Sequence, residues 1–351
     1  MDPMAHRRLG RTDVTVPVCG FGCAPLGNLF EHYTDTDADA TIAAAYDAGI
    51  RFFDTSPWYG RGLSELRLGA SLRQRPRSDL LVSTKVGRVL TAPADVDAFM
   101  GKQRAWVHGL PFEHHHDYSY DGVMRSYEDS LQRLGLNRVD LLIVHDLDEV
   151  NLGSERSVDA HLSQLVTGGH RALTDLKAAG RIGAIGVGVN RVGTIPRFLD
   201  ALQVDFFLVA TPYTLAEQPA LDREFPLCAE HGANVIIGAV FASGILATGA
   251  VPGARYNYAE PTSEQAERIR RIEAICSSYE VPLPAAALQF PLHHPIVASI
   301  IPGAVHPSHV STNLHLLRQD IPAGLWEDLK HQGLLREDAP TPQGEGERGT
   351  P

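Results

Sequence analysis

Short apolar runs alternate along nearly the whole chain with longer stretches whose apolar residues recur at helical spacing, a rhythm that predicts strands joined by helices. Residues 8–18 read as a hairpin turning at Gly10 and Asp13, and residues 18–22 as the first strand of the main sheet. An alanine-rich helix over 38–48 follows, with its N-cap among Asp35, Thr36 and Asp37 and Gly49 just past its end. The alternation continues as strand 51–54, helix 63–72, strand 80–84, helix 123–134, strand 139–144, helix 160–179, strand 182–189 and helix 194–202. It ends with strand 206–210, helix 221–231, strand 234–237, helices 263–279 and 285–292, strand 296–301 and helix 307–317. Eight strand–helix units imply parallel pairing, and in about 300 residues they fit a closed α/β architecture, the (β/α)8 TIM barrel. An open doubly wound sheet is the alternative. Against it, Gly20, Gly22 and Gly27 do not make a G-x-G-x-x-G turn after the first strand, so a phosphate-bearing cofactor is held elsewhere.

Two stretches break the rhythm. Residues 91–118 exceed an ordinary βα loop, and they carry Trp106, His108, Phe112, the run His114, His115 and His116, and Tyr118. Together with Trp58 they are expected to wall a polar substrate. Residues 337–351 are rich in Pro, Gly and acidic residues, with one alanine to bury. A single domain over 1–336, with an N-terminal hairpin and long βα loops, and a disordered tail that buries nothing are therefore expected.

Composition narrows the function classes. With 44% apolar and 21% charged residues the chain can build a large core of the usual globular kind. A net charge of -11 argues against a nucleic-acid partner, and no apolar run approaches the ~20 residues that span a bilayer. The N-terminus lacks the apolar core of a signal peptide, and Cys19, Cys23, Cys228 and Cys276 read as buried thiols, so a cytoplasmic protein is expected. It would act on a small molecule as a monomer or homo-oligomer. The adjacent histidines do not converge on one metal, and no Cys or carboxylate stands at ligand spacing, so no metal site is expected.

Three strands end in ionisable groups: Asp54 after an apolar run, Lys85 after LLVST, and His145 with Asp146 after VDLLIV. A parallel barrel gathers the carboxyl ends of its strands around one mouth, so these side chains and Tyr59 from the adjacent loop should share a pocket. Lys85 is expected to favour the Tyr59 phenolate, with Asp54 holding the lysine charged. A fall of about three pH units corresponds to ~4 kcal/mol. His145 would orient the reacting oxygen. No nucleophile stands beside a base, so proton transfer coupled to hydride movement suits the set better than acyl transfer.

Asp54 and Tyr59 within DTSPWYG, Lys85 within STKVG and His145 within LLIVHD resemble the catalytic tetrad of the aldo-keto reductases, in the same order and at matching strand ends. The resemblance spans roughly residues 8–317 and implies a (β/α)8 barrel holding a nicotinamide cofactor in extended form. Segments 117–136, 144–149 and 212–249 are similar to the family's sugar-oxidising branch, which takes in aldose and pyridoxal dehydrogenases and turns a lactol into a lactone. An NADPH-dependent carbonyl reductase and a cofactor-bound binding module are the alternatives. The resemblance places the cofactor against Gly22, Cys23, Asp54, Asn190, Phe241, Ser243, Gly244, Gly303, Ala304, His309 and Asn313. The chain departs from the family pattern at Val189, Ala210, Gly238 and Thr312. Where NADP users carry cations after the eighth strand, it has Val305 and His309, so NAD rather than NADP is expected, with Arg255 the nearest alternative source of charge.

Overall fold

The computed structural model describes residues 1–101 and 105–343. The N-terminal hairpin forms as predicted, β1 (His6–Arg8) pairing antiparallel with β2 (Thr15–Pro17). Its turn needs glycine at position 10, where φ is 58° and a Cβ would stand 2.3 Å from the Asp205 carbonyl oxygen. The Gly10 N–H donates to Asn234 Oδ1 at 2.7 Å, and Arg7 Nη1 donates to the Val297 carbonyl at 2.6 Å. The hairpin thus caps the end of the barrel where strands begin.

Strands β3 (Phe21–Gly22), β4 (Phe52–Asp54) and β5 (Leu81–Val86) pair in parallel, a separate ribbon of β6 (Arg88–Thr91) and β7 (Glu113–His116) intervenes, and the parallel sheet resumes. It continues through β8 (Leu141–Val144), β9 (Ala184–Val189), β10 (Phe206–Val209), β11 (Asn234–Ile237) and β12 (Val297–Ile300). Closure comes from the Gly20 N–H donating to Ile300 O at 2.9 Å and the Gly22 N–H to Pro302 O at 3.1 Å. The sheet is a closed eight-stranded barrel.

Side-chain alternation splits the core in two. Leu9, Val16, Phe52, Leu141, Ile143, Ala184, Phe206, Leu208, Ile236 and Ala298 fill the barrel, whereas Phe53, Leu142, Val144, Val187, Phe207, Val235 and Ile237 face the helices. Strands buried on both faces are apolar along most of their length, which is why they read as near-continuous runs. Each large side chain so buried contributes about 1.5–3 kcal/mol. Gly186 makes room for a neighbour, since a Cβ there would lie 2.3 Å from Phe206 Cζ.

Several expectations need correction. The cap of helix Asp35–Asp47 is Thr34, whose hydroxyl accepts from the Asp37 N–H while the Asp37 carboxylate accepts from the Thr34 N–H. The helix predicted over 160–179 runs from Glu155 and passes through a π turn at Leu165–Gly169 into His170–Ala178. There the Gly169 backbone meets the Tyr118 carbonyl where a Cβ would lie at 2.2 Å. Residues 91–118 are not one loop. The polar histidine run hid a strand, β7, with His114 and His116 half-buried on one face and His115 exposed on the other. A helix at Ala323–His331 was also missed, and it buries Trp326 completely. The tail begins as structure: Ala339 is only 2% exposed in the outer core, and Arg336 bonds both Asp338 and Asp222. Residues 344–351, which carry the rest of that expectation, lie outside the described residues.

Candidate active site

Strand parity places the site. Phe52, Leu81 and Ile143 point into the barrel, so Asp54, Ser83 with Lys85, and His145, at the same parity further on, point into its mouth. Asp54 accepts from Lys85 Nζ through Oδ2 at 2.7 Å and from Ser83 Oγ through Oδ1 at 2.7 Å. Lys85 also donates to the Thr55 carbonyl at 2.9 Å. Both partners are about 1% exposed, and a buried pair of this kind is strongly held because removing either member strands a charge.

Tyr59 follows β4 on a loop that reverses through left-handed Gly60, Arg61 and Gly62, with φ of 63°, 57° and 97°. Gly27 packs against that bend so closely that a Cβ would lie 2.5 Å from the Gly60 nitrogen. The Tyr59 ring is thereby set with Lys85 Nζ 4.6 Å from its centroid, His145 at 6.0 Å edge-on and Trp106 at 5.9 Å. The four tetrad residues do come together.

Their electrostatics differ from expectation at one point. Burial first, then the Asp54 carboxylate, push the Tyr59 phenol well above its usual value, where the sequence predicted a fall. The Lys85 ammonium is already neutralised by Asp54, so its field at the phenol is largely cancelled. His145 is driven well below the ordinary imidazole range by burial and by Arg88 and Lys85, and it is neutral at working pH.

The tautomer of that neutral ring follows from its neighbours. His145 Nε2 lies 3.2 Å from Asp146 Oδ2, and Nδ1 lies 3.1 Å from Ser56 Oγ, which accepts from the Trp58 N–H at 3.0 Å. A carboxylate only accepts, so the proton sits on Nε2 and the Ser56 hydroxyl donates to Nδ1. Asp146 is the site residue that sequence reasoning passed over, although it adjoins His145 at the same strand tip. Held at φ 37°, it also accepts from Arg88 Nη1 at 3.2 Å and Asn190 Nδ2 at 2.8 Å.

The wall residues divide. Trp58 stands edge-on to Trp106 at 5.8 Å and to His114 at 4.7 Å, with Arg88 over its ring at 5.0 Å. Burial and Arg88 lower His114 to about 3 and His116 to about 4, so these imidazoles are neutral and the charge on this wall comes from Arg88 and from Arg61, whose guanidinium is 5.1 Å from the Trp58 ring centre. Tyr118 is no wall residue: it is fully buried, and its hydroxyl donates to the His145 carbonyl at 2.7 Å, bracing the catalytic strand end. His108 packs edge-on to His32 at 4.9 Å, and the Phe112 ring is 38% exposed.

A cleft of about 590 Å³ runs from Asp54 and Tyr59 past Gly22, Gly238, Phe241, Ser243 and Gly244 to Gly303 and Val305. Ala242, Ser243 and Gly244 are all left-handed there, and the Ala242 and Gly244 N–H groups donate to the Ala239 and Phe241 carbonyls at 2.7 and 2.9 Å. Gly22 and Gly303 answer to barrel closure, since Cβ atoms would meet Ile301 O at 2.6 Å and Pro25 Cγ at 2.8 Å. The lining of the cleft could hold an extended dinucleotide. Cys23 contributes backbone only, its thiol being fully buried and its N–H donating to Asp54 O at 2.8 Å. Ala304 is 4% exposed, Asn313 is half-buried on helix Pro307–Arg318, and His309 is exposed beside His306. Burial and His306 lower the His309 imidazole. Arg255 lines the cleft with its guanidinium 4.1 Å from the Phe30 ring centre, and Glu31 lines it too.

A model of the Aldo/keto reductase family matches residues 19–330. The chain is 41% identical over 340 residues to pyridoxal 4-dehydrogenase of Microbacterium luteolum, covering 94% of this chain and 97% of that one. It is 38% identical over 341 residues to D-threo-aldose 1-dehydrogenase of Pseudomonas sp, covering 94% and 96%. The solved holo form of aldo-keto reductase AKR11C1 from Bacillus halodurans superposes with a TM-score of 0.72 at 24% identity, covering 99% and 100%, and shares the fold.

Proposed function

Because the chain belongs to the aldo/keto reductase family, we propose that it oxidises a cyclic hemiacetal, a sugar lactol or the like, to a lactone with NAD, using Tyr59 as proton carrier. The observation that carries this reading is the buried Asp54–Lys85 pair, 2.7 Å apart, beside Tyr59 and the neutral His145. The relatives named for aldose and pyridoxal point to hemiacetal substrates.

A nicotinamide cofactor, with Ser243 and Gly303 along the cleft and Asn190 beside His145 to hold it, would supply the hydride acceptor. The protein supplies the rest. With substrate bound, the His145 Nε2–H turns from Asp146 to the reacting oxygen and fixes the substrate carbon toward the cleft. Tyr59 takes the hydroxyl proton as the carbonyl forms, and the same phenol returns it in the reverse direction. Its raised pKa favours the protonated phenol that the reverse, reducing direction uses, so oxidation, which needs the phenolate, climbs with pH. Trp58 and Trp106 exclude water from one side of the substrate.

NAD is favoured because Val305 cannot pair a 2′-phosphate, His309 is neutral, and Glu31 adds a carboxylate to the same cleft. Arg255 favours the second reading, an NADP-linked reductase, since it reaches the cleft from the loop after β11. Steady-state rates on aldoses, pyridoxal and aromatic aldehydes with both cofactors decide between them. Turnover of lactols with NAD supports the dehydrogenase, and turnover of aldehydes alone with NADPH refutes it.

A further inference from the structure

Asp146 does more than support its neighbours. Its carboxylate offers about four lone-pair sites. Asn190 Nδ2 takes one on Oδ1 at 2.8 Å, and Arg88 Nη1 and His145 Nε2–H take the two on Oδ2, each at 3.2 Å. Its side chain is 14% exposed. When the His145 Nε2–H turns from Asp146 to the reacting oxygen, the Oδ2 site it leaves becomes an open acceptor beside it. The 3.2 Å between Nε2 and Oδ2 is close to the spacing of two oxygens on neighbouring carbons. Trp106 Nε1, buried and without a partner among the described residues, adds a donor on the Tyr59 side.

We propose that Asp146 is a substrate-specificity residue: it accepts a hydrogen bond from a hydroxyl on the carbon next to the one oxidised, while His145 Nε2–H donates to the reacting oxygen. The pair reads a vicinal diol or its equivalent, a hemiacetal flanked by a hydroxyl. The proposal rests on oxidation at the Tyr59–His145 site. Because Asp146 keeps Arg88 and Asn190 as partners when that hydroxyl is missing, discrimination is about 10- to 100-fold, well below the 10⁴ of a site left wholly unpaired.

The experiment compares kcat/KM for an aldose with that for its 2-deoxy analogue, in the wild-type enzyme and in Asp146→Asn. A ratio within one preparation is unaffected by the fraction folded. Wild type is expected to favour the aldose by about tenfold or more, and the variant to bring the ratio toward one. A wild-type ratio near one, or an unchanged ratio in Asp146→Asn, overturns the proposal. Should Asp146→Asn not fold, the wild-type ratio decides alone. Should wild type turn over no aldose, the lactol reading falls by itself, and a vicinal diol compared with the matching mono-alcohol then tests Asp146 by the same ratio.

Discussion

Asp54→Asn and Lys85→Met should move the Tyr59 titration in opposite directions, which tests the electrostatic account of the site. Asp54 Oδ2 is 2.7 Å from Lys85 Nζ, and that nitrogen is 4.6 Å from the Tyr59 ring centre, so the carboxylate oxygen lies within about 7 Å of the ring. At an effective dielectric of ~20, unit charges ~7 Å apart interact by about 2 kcal/mol, equivalent to between one and two pH units. Asparagine removes the charge that opposes the phenolate, keeps an acceptor for Ser83 and leaves the Lys85 field uncompensated. The phenol pKa then falls. Methionine at position 85 leaves Asp54 uncompensated and raises it further. Oxidation needs the phenolate, and the pH dependence of kcat/KM reports the free enzyme. The rising limb should therefore move to lower pH by about one to two units in Asp54→Asn and to higher pH in Lys85→Met. The assay is the absorbance of reduced nicotinamide, followed from neutral to strongly alkaline pH. Both substitutions lower the plateau by loosening the pair, so the position of the limb is the readout. Movement of both limbs in one direction, or an upward move in Asp54→Asn, would refute the reasoning.

Tyr59→Phe removes the proton carrier and should lower turnover by about 10² to 10⁴ while fluorescence titration shows cofactor affinity nearly unchanged; wild-type turnover would sink the mechanism. NAD should exceed NADP in kcat/KM by at least about tenfold, equivalent to ~1.4 kcal/mol, at a pH where His309 is neutral. If Arg255 supplies a phosphate contact instead, NADP equals or exceeds NAD and Arg255→Ala abolishes that advantage. Truncation after Arg336 removes the buried Ala339 and the Asp338 partner of Arg336, so Tm should fall by about 1–2 °C for each kcal/mol lost; an unchanged Tm would show that this contact contributes nothing.

Much of this protein was legible in one dimension because the signals are local. Strands buried on both faces are near-continuously apolar up to the mouth, so all eight barrel strands stood out. The abrupt switch to Asp54, Lys85 and His145 marked where each reaches the mouth. Parallel pairing then brought the three together without further information. The sequence failed where polarity misled it: HHH carried no strand pattern, yet β7 forms because it pairs with Arg88–Thr91. It also failed where the deciding partner is distant in the chain. Whether Lys85 lowers the Tyr59 phenol depends on how fully Asp54, from another strand, cancels its charge, and only the folded distances settle the sign. Tyr118 looked like a substrate contact because aromatic residues line pockets, but packing turned its hydroxyl onto the His145 carbonyl. Asp146 was visible as a letter beside His145. Its meeting with Arg88 and Asn190, from β6 and the end of β9, exists only once the barrel closes, because burial makes a carboxylate gather its partners from wherever the chain supplies them.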